Sequence, residues 1–179
     1  MRQKRSLQAK GLVRMALCGL LFSLNADAEQ VMINISATGV EPPCSVTDTS
    51  GNNQAEVDFE SVQVDDVYAR TVRKSLPVKV TCEGTASTGK VLKMSLTPVA
   101  GGTMPYAGRT VLGTSVTGLG VEVTDKDNNP VPPGTWVSVS GGNVPVGNVD
   151  LWAVLVAEKS ADLKSGVFTS TASLVMAYQ

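Results

Sequence analysis

Apolar and polar positions alternate with a period of two along most of this chain. No stretch of ten or more residues carries the 3.6-residue period of an amphipathic helix. The clearest alternation lies in residues 166–179, where Phe168, Ser170, Ala172, Leu174, Met176 and Tyr178 fall on one face of a strand predicted to run to Gln179. A strand this regular, placed where fraying is easiest, calls for a pairing partner. A second alternating run, Val31, Ile33, Ile35 and Ala37 with Gly39 in phase, stops at Pro42 and Pro43, which a central strand does not tolerate. Between these two runs the pattern predicts further short strands. Cys44–Val46 begins one, residues 48–53 form a turn-rich loop, and Val57–Phe59 is short and extended. Leu76–Cys82 alternates with Cys82 facing inward, and Leu92–Leu96 does the same. A glycine-rich stretch from Gly101 to Gly118 precedes Leu119–Val123, and Asp127 to Pro130 signal a turn. Trp136–Val139 is extended, Val149–Ala157 is apolar on both faces and therefore central, and residues 159–165 form a loop. Seven or eight short strands separated by turn signals specify an all-β antiparallel sandwich.

The first 28 residues read differently. Arg2, Lys4, Arg5, Lys10 and Arg14 make a basic leader, Met15–Leu24 is an apolar run too short to span a bilayer, and Ala26-Asp27-Ala28 places small residues at a signal-peptidase site. Residues 1–28 are thus expected to be a cleaved secretory signal, and Cys18 leaves with it. The remaining 151 residues have the size of one domain. Five of the 15 basic and one of the 16 acidic residues belong to the leader, so ten basic residues face fifteen acidic ones and the net charge is −5. An acidic chain without a basic cluster is a poor partner for nucleic acid. Cys44 and Cys82 remain as an even pair in an exported chain, which favours a disulfide over two free thiols. Such a bond closes a loop of about 39 residues and is worth ~4 kcal/mol in the chain-entropy model. The chain has no histidine, so the commonest general base and the commonest metal ligand are missing; no cofactor and no metal are expected.

Four features in order resemble the pilin subunits of Gram-negative chaperone–usher fimbriae. They are the alternating segment before the first cysteine; Cys44 and Cys82, with Leu76-Pro77-Val78-Lys79-Val80-Thr81 leading into the second; the strand around Val149-Asp150-Leu151-Trp152-Ala153; and the ending Gly166-Val167-Phe168 through Tyr178-Gln179. Gly166 and Tyr178 stand fourteenth and second from the end, as in that family. The resemblance implies an incomplete immunoglobulin-like antiparallel sandwich, residues 44–179, lacking its C-terminal seventh strand, with an N-terminal donor-strand extension over residues 29–43. It implies a structural subunit of an adhesive cell-surface fimbria, exported through the periplasm. Its partners would be a periplasmic pilus chaperone, an outer-membrane usher, neighbouring pilin subunits and, through the assembled fibre, a host receptor. With room for one domain only, the chain would be a shaft, adaptor or minor tip subunit rather than a two-domain adhesin.

The residues carry that reading physically. By pattern alone the Val31–Gly39 segment is equally an ordinary first strand of its own domain or a detached arm, and the Pro42-Pro43 break favours the arm. As a donor it would seat Val31, Ile33, Ile35, Ala37 and Gly39 in a neighbour's groove, each fully buried Val or Ile contributing ~1.5–3 kcal/mol. Its glycine lies near the end of the run rather than within it, a departure from the family pattern. The acceptor groove and chaperone-binding strand would comprise Gly166, Phe168, Ala172, Leu174, Met176, Tyr178 and Gln179. The alternative is a tip-located module that itself binds a host glycan or protein, with Tyr106 as the aromatic to suspect. An enzyme is not expected: the acid pairs Asp65-Asp66 and Asp125 with Asp127 read as solvated turns. Pro130 and the absence of a distal glutamate argue against an EF-hand at Asp125–Asn129.

Overall fold

The computed structural model describes residues 44–139, 146–158 and 162–179. The expected signal (1–28) and donor extension (29–43) lie outside the described residues. Among those described, nine strands and one short helix follow in the order β1 (Cys44–Asp48), α1 (Val64–Tyr68), β2 (Arg73–Cys82), β3 (Leu92–Ala100), β4 (Thr103–Tyr106), β5 (Arg109–Gly113), β6 (Leu119–Asp125), β7 (Val137–Ser138), β8 (Val146–Ala157) and β9 (Thr171–Tyr178). They build a six-stranded sheet, β1-β2-β8-β6-β5-β4, and a three-stranded sheet, β7-β3-β9, antiparallel throughout. The core lies between them. Val78, Val80, Leu119, Val121, Val123, Leu151, Ala153 and Leu155 of the larger sheet bury against Leu92, Met94, Leu96, Met176 and Tyr178 of the smaller one.

The expected central strand is central. β8 pairs with β2 on one side and β6 on the other, Leu151 and Leu155 facing the main core. Val154 and Val156 face the outer side, where they are buried with Tyr106 and Val111 in a second apolar cluster. The predicted disulfide is present between Cys44 and Cys82, which are direct cross-strand partners of β1 and β2.

Prolines inside strands sit where a missing N–H does least harm. Pro77 of β2 lies one residue beyond the end of its pairing with β1, at Val78. Pro98 of β3 stands at a register shift, and Pro105 belongs to β4, an outermost strand. Two elements were not anticipated. The glycine-rich stretch holds the β4–β5 hairpin, and residues 64–68 make one helical turn. No helix among the described residues is long and apolar enough to cross a membrane.

Candidate functional site

Among the described residues β9 pairs on one side only. Its register with β3 runs Leu92↔Tyr178, Met94↔Met176, Leu96↔Leu174 and Pro98↔Ala172. The ladder continues past Tyr178, where the backbone of Gln179 exchanges hydrogen bonds with Val91 at 3.0 and 3.1 Å. On its other side β9 is the outermost strand of its sheet, and no described strand bonds to it. Alternate N–H and C=O groups therefore point out of the sheet unladdered. β1, outermost in the other sheet, lies close beside β9 without joining its ladder.

The strand starts later than its alternation suggests. Residues 166–170 precede β9 and are pulled toward the β5–β6 loop instead of pairing with β3. Ser115 N donates to Thr169 O at 2.9 Å, Thr169 N donates to Ser115 Oγ at 3.0 Å, and the Ser170 hydroxyl donates to Gly113 O at 2.7 Å. The side-chain period nevertheless continues through the break. Phe168, Ala172 and Leu174 are half-buried against the core, whereas Met176 and Tyr178 are closed into it, both 2% exposed. The apolar row named from the sequence is thus one face graded from open to closed. The Tyr178 hydroxyl, buried, has no hydrogen-bond partner among the described residues.

Beside the open end lies a cavity of about 430 Å³, lined by Val57, Phe59, Val116, Leu163, Gly166 and Phe168 together with the charged Asp58, Glu60 and Lys164. Phe59 and Phe168 approach with ring centroids 6.2 Å apart. Val167 on its rim is 91% exposed, an apolar side chain left in water. Gly166 has empty space around it: a Cβ built there meets nothing within 4 Å. Sequence reasoning placed Gly166 and Phe168 here and read Val57–Phe59 as extended, but missed that residues 57–62 line the same cavity, because this segment joins no strand ladder that would place it.

Tyr106, suspected as an exposed aromatic, is 9% exposed and packs in the second apolar cluster, so it is not a surface platform. Asp65 and Asp66 are exposed in the single turn of α1. Asp125 caps a tight turn, accepting the Asp127 and Asn129 amides at 2.9 and 2.8 Å.

An immunoglobulin-like antiparallel sandwich, with the β9 edge unladdered among the described residues and a cavity beside the segment that leads into it, has the architecture of a pilin-type domain. The fimbrial protein family profile matches residues 33–179, and the chain belongs to that family. It is similar to the fimbrial-like protein YfcR of Escherichia coli K12, with 27% identity over 172 residues, 94% of this chain and 92% of the relative. Among solved structures its fold matches the P pilus rod subunit PapA, at a TM-score of 0.54 and 19% identity over 76% of this chain and 99% of that one. It also matches a subunit in the structure of a chaperone–usher pilus, at a TM-score of 0.50 and 18% identity over 85% of this chain and 97% of that one.

Proposed function

We propose that this fimbrial subunit polymerises by strand exchange, and that the open edge of β9 is its acceptor site. The observation carrying this reading is the unladdered side of β9 together with the graded apolar face of Phe168, Ala172 and Leu174 and the adjoining cavity. A strand laid along β9 would complete the three-stranded sheet and satisfy its outward backbone groups. Alternate side chains of that strand would enter the space beside Phe168 and Leu174. In this scheme residues 1–28 direct export and are removed. A periplasmic chaperone fills the edge first, engaging the strand from Gly166 to Gln179. At an outer-membrane usher, residues 29–43 of the next subunit replace it, with Val31, Ile33, Ile35, Ala37 and Gly39 as anchors. The product is a cell-surface fibre that contributes to adhesion. The role is structural, and the Cys44–Cys82 bond, which pins β1 beside the groove, supports it.

Residues 29–43 and the β9 edge have separable duties, which gives the test. A chain lacking residues 29–43 is expected to co-purify one-to-one with its periplasmic chaperone and to accept an incoming subunit, but to fail to add to the subunit ahead of it. If the truncated chain joins fibres at both ends, strand exchange through residues 29–43 is wrong.

A further inference from the structure

On the outer face of the six-stranded sheet, remote in sequence from the strand edge, lies a second concavity of about 380 Å³. Its lining includes Arg70, Arg73, Arg109, Glu122, Thr124 and Asn128. Glu122 is 2% exposed, a cost that demands pairing. Arg70 Nη2 donates to its Oε2 and Arg109 Nε to its Oε1, so one carboxylate is bracketed by two guanidinium groups. Both arginines also lie over the ring of Tyr106, at 5.8 and 5.9 Å. Arg73 makes no ion pair among the described residues; its guanidinium stacks on Trp152 at 4.0 Å. Stacking holds a guanidinium in place through its faces and leaves the in-plane N–H donors free to point elsewhere.

Three guanidinium groups around one carboxylate leave the concavity with a net charge of +2, in a chain whose overall formal charge is −1. The nearby Asp125 carboxylate is occupied by the amides of its own turn. The Thr124 hydroxyl in the wall is buried with no hydrogen-bond partner among the described residues. Arg70 (φ 56°) and Asn128 (φ 64°) both occupy the left-handed region, and Arg70 does so in the position after the α1 cap, where glycine is usual.

We infer that this concavity binds a sugar-sized carboxylate, of the uronic-acid class. A planar carboxylate matches the fork of Arg73 and the remaining donors of Arg70 and Arg109, while sugar hydroxyls match the amide of Asn128. A volume of about 380 Å³ holds one monosaccharide, and a concave site favours it over the flat surface of a protein partner.

The test is titration of the exported full chain with D-glucuronate, followed by amide shift perturbation and calorimetry, with D-glucose, sulfate and a polyglutamate peptide as comparators. Saturable binding of glucuronate, with shifts at Arg73, Arg109 and Asn128 and none with glucose, is expected. R73Q is expected to weaken it about tenfold or more, as loss of a charge-assisted bidentate pair does. N128G keeps a backbone conformation that glycine adopts freely, so a loss of affinity there without a change in Tm reports the amide itself. No saturable binding, equal binding by R73Q, equal binding of sulfate, or preference for polyglutamate would each overturn the inference.

Discussion

At the scale of single residues, two turns far apart in sequence are the same device. Asp48 Oδ1 accepts the Ser50 and Asn52 amides at 2.8 and 2.7 Å, and its Oδ2 accepts Asn52 Nδ2 at 2.8 Å. Asp125 does likewise with Asp127 N, Asn129 N and Asn129 Nδ2, at 2.9, 2.8 and 2.9 Å. In both, the residue before the asparagine is left-handed, Gly51 at φ 92° and Asn128 at φ 64°. The turn chemistry was legible because it is local: an Asp and an Asn four positions apart, with Gly or a second Asn just before the latter. The Arg70–Glu122–Arg109 group was not, since its members lie 52 and 13 positions apart and only the fold brings them together. The side-chain amide of Asn52, followed by its backbone N–H, holds the Asp48 carboxyl below its ordinary 3.8. A depressed folded pKa means that this carboxylate stabilises the fold above the unfolded value and ceases to do so as pH falls through the lower folded one. Thermal melts of D48N and the parent chain are therefore expected to differ at pH 6, with a gap that begins to narrow as pH falls past about 3.8 and closes only below the lower folded value. A gap independent of pH would show that the charge contributes nothing. D125A, which removes a 5%-exposed acceptor from three donors, is expected to cost about 1–3 kcal/mol in urea unfolding.

Among the elements, the strands with strict alternation were legible and the irregular ones were not. Leu76–Cys82, Leu92–Leu96, Leu119–Val123 and Val149–Ala157 all lie within observed strands: a buried face imposes the period of Leu76–Cys82, and burial on both faces gives Val149–Ala157 its continuous apolar run. The β4–β5 hairpin was hidden by its glycines, and their reason is steric. Gly101 and Gly113 cross so closely that a Cβ on Gly101 would sit 2.3 Å from Gly113 O, and one on Gly113 would sit 2.3 Å from Gly101 O. Gly101 also has φ 87°. G101A and G113A are each expected to lose about 2–4 kcal/mol in urea unfolding, with the double variant losing less than the sum because both relieve one crossing. G102A, at φ 64° but with open space around it, should cost only about 1 kcal/mol. Equal losses at positions 101 and 102 would place the effect in backbone conformation and not in the crossing. Helix α1 escaped notice for a simpler reason: five residues span too little of a 3.6-residue period to display one.

For the whole molecule, the decisive question is whether the space beside β9 belongs to this fold or to an incoming strand. Gly166 separates the two. Its φ is outside the left-handed region and a Cβ there touches nothing, so nothing within the described fold requires glycine at this position. A strand laid along β9 from another subunit would bring backbone into that empty volume, and a side chain at position 166 would then collide with it. G166V is accordingly expected to fold with a Tm within about 2 °C of the parent, since substitutions that touch nothing rarely exceed ±0.5 kcal/mol. Its gain in Tm from a synthetic peptide spanning Val31 to Gly39 should be lost. For the parent that gain should grow with the logarithm of peptide concentration, as binding to the folded state alone requires. L174D would weaken the peptide too, but it also lowers intrinsic stability because Leu174 packs against the core, so the two effects are confounded there. At Gly166 they are not. A G166V chain that unfolds places the glycine in the fold's own packing, and one stabilised by the peptide like the parent removes the incoming strand from this part of the edge. Loss of the peptide response at unchanged Tm leaves the empty space beside Gly166 as the path of a strand supplied by another molecule.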